Sequence, residues 1–194
     1  MANRLQAVLE AIDAANRADP VIDAGAGRPR ALLYGERMSA RLAVFDGAAS
    51  EALAIAVRAQ HIERWRLPRE TYPEGRIGYL RWRKDLQRHH ASRAAAIMAD
   101  AGYGADTVGR VESLILKRDL RNDAEAQTLE DVACLVFLEF EAPAFIAKHD
   151  DAKVRDILAK TAGKMSSRGL AAATELALDQ RLSRLLREAV SGPA

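Results

Sequence analysis

A chain of 194 residues, 49% apolar and 29% charged, is long enough and apolar enough to bury a sizeable core, which excludes global disorder. A formal net charge of +2 excludes nucleic-acid binding driven by overall charge alone. One cysteine, Cys134, excludes a disulfide framework and any zinc site built on cysteine pairs.

The apolar neighbours of Cys134 suit a small hydrophobe in a reducing compartment. No apolar run approaches the roughly 20 residues of a membrane span, and no signal-like apolar region opens the chain, so we expect a cytoplasmic protein without membrane contact.

Alanine, leucine and arginine dominate and β-branched runs are scarce, a helical pattern nearly throughout. In residues 3–17, Leu5, Val8, Leu9 and Ile12 share one face at i, i+3, i+4, i+7. Asp19-Pro20 ends that helix, because a residue before proline avoids the helical region. The glycines and prolines of 20–30 make a loop; its GAGR at 25–28 lacks the GK[ST] of a phosphate loop. A helix spans 32–46, broken or started near Gly35, and a longer one spans 49–66 with Leu53, Ala56 and Val57 on one face, which Gln60 and His61 extend. Pro68, Pro73, Gly75 and Gly78 make 67–78 irregular. A second long helix covers 79–101 and stops at Gly102. A third, capped by Asp106 or Thr107, reaches about Lys117. Residues 124–147 form a very apolar helix with an interruption at Pro143, apolar round most of its circumference between Val132 and Phe140, and therefore central. Amphipathic helices over 151–164 and 167–190 complete an all-α bundle of about six to eight helices. We read it as a single domain over 1–194 with its helical core at 31–165.

The residues with chemistry lie between His61 and Asp131. Asp85 and His89, four apart, share a helix face, and His90 lies about 100° further round. His61 comes from another helix. Asp131 sits in the apolar helix, where a carboxylate needs a metal, an arginine or a helix N-terminus. The alternatives are plain: a helix N-terminal charge beside Glu130 for Asp131, a core or surface ring for His61, and a solvated pair for His89 and His90. Between positions 58 and 93 ten arginines and lysines face four acids, a local net of +6, interleaved with Trp65, Tyr72, Tyr79 and Trp82. Arg64, Arg76, Arg83 and Arg88 present forks suited to phosphate, and Trp65 and Trp82 present rings that can stack a base; the alternative is a solvated face with arginines on tryptophans.

The strings DAANRADP, LLYGERM, RAQHIERW, YPEGRIGYLRWR, LEDVACLVFLE and DILAKTAGKMS run the length of the chain, which resembles the family called domain of unknown function 4202. That resemblance carries no activity with it. More distantly, residues 50–140 resemble the HD superfamily of helical metal-dependent phosphohydrolases, whose pattern is a His, a His-Asp pair and a distant Asp on a later helix. His61 would match the first His, Asp85 the Asp of the pair and Asp131 the last Asp. Lys84 stands where the pair has its histidine, and Leu116-Lys117-Arg118-Asp119 departs from the pattern; His89, one turn on from Lys84, could substitute, or the fold could persist without its metal.

This resemblance implies a divalent ion (Mn, Fe, Ni or Zn) held by His61, His89 or His90 and Asp131, with Asp85 as a further ligand or base. The expected function is hydrolysis of a nucleotide or related phosphoester. The alternative is a non-catalytic module that holds a small phosphorylated molecule, a nucleotide or RNA on the same basic residues, alone or as a homo-oligomer.

Overall fold

The structure is a computed structural model and describes residues 4–120 and 122–191. Among these residues it is all-α, with ten α-helices, short 3-10 and π turns and no strand. No helix among them is long and apolar enough to cross a membrane. The chain divides into two compact units, one ending at Ala126 and the other beginning at Gln127.

In the first unit α1 is Arg4–Asn16, α2 Arg30–Phe45, α3 Glu51–Ala59, α4 Gly75–Asp100 and α5 Ala105–Ile115. The short α3 lies at its centre, packed against α1, α2, α4 and α5. Its sequence, EALAIAVRA, buries Ala52, Leu53, Ile55, Ala56, Val57 and Ala59, which explains how one helix meets four neighbours. Its first turn is closed by Ser50, whose hydroxyl accepts the Leu53 N–H at 3.1 Å. Arg58, in its last turn, clamps Asp13 of α1 through two hydrogen bonds of 2.7 and 2.5 Å. Gly35 neither starts nor breaks α2. It lies within that helix, where a Cβ would stand 3.1 Å from the Arg58 carbonyl, so the glycine lets α2 and α3 approach.

The helix expected over 49–66 ends at Ala59, because a tertiary bond competes there with helix continuation. The buried Asn16 accepts the Glu63 backbone N–H at 3.0 Å, and Glu63 takes a left-handed φ of 50°. A 3-10 turn, Arg64–Arg66, follows. The next helix starts at Gly75, four residues before the expected position, and ends as expected at Gly102 with φ 77°.

In the second unit the helix expected over 124–147 is divided. α6 is Ala124–Val136, a π turn covers Phe137–Glu141, and α7 is Ala142–Ile146. Pro143 lacks the N–H that would bond to Glu139 and crowds that carbonyl, so the helix accommodates it with a wider turn. α8 (Asp151–Ala162), α9 (Ser167–Thr174) and α10 (Gln180–Ser191) follow, and α10 packs on α8 and α7. The helix expected over 167–190 is therefore two, separated at 175–179. These divisions raise the count above the six to eight expected.

Gly78 shows how tightly the 67–78 connection is held to α4. A Cβ there would stand 1.9 Å from the Pro73 carbonyl oxygen, which belongs to backbone and cannot swing away. Gly78→Ala should therefore lower stability by about 1–3 kcal/mol despite alanine's better helix propensity. Chemical denaturation measures this, and an unchanged or raised midpoint would contradict the close approach.

Candidate functional site: a cationic histidine cleft

A small cleft opens in the first unit where α3, α4 and α5 meet. The end of α3 and the turn beyond it supply Gln60, His61 and Arg64; one face of α4 supplies Arg83, Gln87 and His90 at i, i+4, i+7. Lys117 comes from the stop of α5, and Leu86 and Ile115 provide apolar wall. Three of the lining side chains are cations and none is a carboxylate.

His90 is 3% exposed. Its Nδ1 lies 2.7 Å from the Ile62 carbonyl oxygen, a pure acceptor, so Nδ1 carries the proton and donates it. Burial, with the charges of Arg64 and Arg83 adding to it, pushes the ring down to about 3, so it is neutral at ordinary pH. Nε2 of His90 then bears a lone pair, and it is buried with no hydrogen-bond partner among the described residues. His61 stacks on Tyr34 at 4.1 Å between ring centroids and lies 5.8 Å from the His90 ring. Burial first, then Arg64, His90, Arg83 and Lys117, hold its pKa well below that of an ordinary histidine.

Two residues on from His61 comes Glu63, 4% exposed. Its carboxylate accepts from Arg93 Nε at 2.7 Å, pairs with Arg66 at 3.2 Å and lies 3.8 Å from His89 Nε2. The left-handed turn at Glu63 directs the chain from His61 into Arg64, whose guanidinium lies 4.8 Å over the Trp82 ring. Trp82 in turn donates its indole N–H to the Leu67 carbonyl at 2.8 Å.

Lys117 is also left-handed, with φ 54°. The Lys117 N–H bonds to the Leu114 carbonyl and the Arg118 N–H to the Ser113 carbonyl, the two bonds of a Schellman stop. Glycine normally takes this position, since a side chain there costs about 1–2 kcal/mol. Here a lysine is held in it and lines the cleft.

Of the residues singled out in the sequence, His61, His90, Arg64 and Arg83 meet in this cleft. His89 faces Glu63 instead. Asp85 accepts from the Tyr72 hydroxyl and from Arg88, each at 3.3 Å. Arg76 is exposed in the first turn of α4 and Trp65 lies in the 3-10 turn; neither is a lining residue.

Asp131 belongs to the second unit, 1% exposed, and is bonded there. It accepts the Ser166 backbone N–H at 2.8 Å, the Ser166 hydroxyl at 2.5 Å and the Gln127 amide at 3.0 Å. Ser166 caps α9, so this carboxylate acts one step behind a helix N-terminus. Gly169 leaves the room it needs, for a Cβ there would be 2.5 Å from the Asp131 oxygen.

The lining of this cleft does not fit the divalent ion that the HD resemblance implies. Among the described residues no three His, Cys, Asp or Glu are grouped as a metal's ligands must be. Two neutral imidazoles beside three cations offer a dication no compensating charge. Sequence reading missed Gln60, Gln87, Lys117 and the Glu63 hub. Gln87 was detectable, since it shares the heptad-like face with Arg83 and His90, whereas Lys117 and Glu63 depend on backbone conformations that no local pattern announces.

Two outcomes follow from this geometry. Asp131→Asn should cost about 1–3 kcal/mol, because the charged acceptor of the Ser166 pair is lost inside the protein, and chemical denaturation measures it. The neutral His90 gives a pH dependence of known sign. Its folded pKa lies below the unfolded value of 6.5, so its contribution is complete above about pH 6.5 and declines as pH falls toward about 3. Between pH 7 and 5, above the carboxylate range, stability should therefore drop by on the order of 1 kcal/mol per pH unit once below the unfolded pKa. A flat denaturation midpoint over that interval would contradict a buried neutral ring.

No curated protein and no solved structure matches the chain significantly. One family model does, over residues 6–186, nearly the whole chain, and with that match the strings read from the sequence have their explanation: the chain belongs to the family described as Domain of unknown function (DUF4202).

Proposed function

We propose that the first unit binds a small phosphorylated molecule, a nucleotide or a relative of one, by its phosphate in the cationic histidine cleft. The observation that carries this reading is the convergence of Arg64, Arg83 and Lys117 on one cleft with no carboxylate in its lining. Grouped cations repel one another and lower the basicity of His61, and an oxyanion removes that repulsion. Two arginines and a lysine supply forked and point-charge donors, the usual set for phosphate. The Trp82 face is covered by Arg64, so the site favours a compact phosphate ligand over a strand of stacked RNA bases. Binding supports this reading more directly than metal-assisted hydrolysis does, because the carboxylates that hydrolysis would need, Asp85 and Asp131, are bonded to other groups.

The strained Lys117 separates function from folding. Lys117→Gly relieves the left-handed backbone while adding freedom to the unfolded chain, so stability should stay level or rise by up to about 1 kcal/mol. If Lys117 holds the ligand, the same change should weaken phosphate or nucleoside monophosphate binding at least about tenfold. Titration calorimetry at low ionic strength, with denaturation alongside, reads both. Wild-type binding should also weaken with added salt. Absence of phosphate and nucleotide binding by the wild type at low salt would defeat the reading.

A further inference from the structure

The cleft contains more than positive charge. Two of its lining residues carry a buried acceptor without a hydrogen-bond partner among the described residues, His90 at Nε2 and Gln60 at Oε1. A buried acceptor left unmet costs free energy, so each indicates a donor that arrives with the ligand. His90 cannot exchange roles to escape this. Its Nδ1–H is committed to the Ile62 carbonyl 2.7 Å away, which fixes the tautomer and leaves Nε2 as the acceptor. Charging the ring is opposed by burial and by Arg64 and Arg83, with Lys117 also lining the cleft. The buried carboxylate of Glu63 is occupied by Arg93 and Arg66.

Building on the phosphate reading above, we infer that the cleft selects an oxyanion that carries an O–H donor of its own, which His90 Nε2 accepts while Arg64, Arg83 and Lys117 neutralise the charge. Two chemical sources satisfy this: the acidic hydroxyl of hydrogen phosphate, or a ligand hydroxyl close to a phosphate ester. An aprotic dianion of equal size and charge places an oxygen lone pair against the nitrogen lone pair, and the site rejects it. A polar site aimed at one hydroxyl discriminates against the analogue that lacks it, because its own buried group is then stranded.

Hydrogen phosphate and sulfate make the decisive pair. At pH 8 both are essentially dianions of similar size, and only phosphate has an O–H. Titration calorimetry of the whole protein at low, matched ionic strength should give at least about tenfold tighter binding of phosphate. His90→Phe keeps a ring but removes the acceptor; it should lose affinity for phosphate and bind the two anions alike. If that variant fails to fold, the wild-type ratio decides alone. Methyl phosphate and ribose 5-phosphate, both dianions at this pH, separate the sources. If ribose 5-phosphate binds like phosphate and methyl phosphate like sulfate, the donor is a ligand hydroxyl. If both esters bind like sulfate, it is the phosphate's own proton. Equal affinity for phosphate and sulfate in the wild type overturns the inference and leaves the phosphate reading standing. Binding of none of the four anions overturns both.

Discussion

The first unit depends on one buried carboxylate. An ionised Glu63 without partners would cost several kcal/mol at its 4% exposure, so the fold is compatible with it only where cations meet it. Arg93 comes from α4, Arg66 from the 3-10 turn, and the Asn16 amide at the end of α1 fixes the Glu63 backbone. Three parts of the chain are thereby tied to one residue. The tie ends α3 early and sets the left-handed turn. From that turn His61 and Arg64 approach the cleft on consecutive bends, not on one helix face. The cleft thus lies next along the chain to a charge that is already satisfied, and no carboxylate lines it.

The same unit holds side-chain-bearing residues in left-handed backbone. Both Glu63 and Lys117 occupy left-handed backbone without being glycine. For Glu63 the compensation is visible, since a buried ion-pair hub surrounds it. For Lys117 the Schellman bonds satisfy the end of α5 but would do so equally with glycine. What a glycine cannot supply is the ammonium group in the cleft.

The helical class could be read from periodicity because amphipathic spacing is a local property, and α1, α8 and the Gly102 stop fall close to their expected places. Errors gathered where distant groups decide. Asn16 terminates α3 across 47 positions of sequence, which no window on residues 49–66 contains. Pro143 was visible, yet whether it kinks, ends or widens a helix depends on the turn before it. The cleft brings together His61, His90, Arg64 and Arg83 from the residues that the sequence singled out by type and density. Asp131 was correctly read as buried and in need of partners, but the partner type was not legible. A serine capping α9, 35 residues on, satisfies it as fully as an arginine or a metal would.

Which of these carboxylates stands near the histidines decides the chemistry open to the cleft. A site for a divalent cation brings acids to imidazoles, so that ligand charge balances metal charge and histidine basicity is sustained. Here the opposite sorting has occurred. Asp85 sits with Tyr72 and Arg88, Glu63 with Arg93 and Arg66, and Asp131 with Ser166, while the cations Arg64, Arg83 and Lys117 line the cleft with the rings. Burial and the neighbouring cations keep these imidazoles neutral, each with one ring nitrogen bearing a lone pair. Residue types that suggest a metal centre in the sequence thus stand, in the cleft, among cations and without a carboxylate.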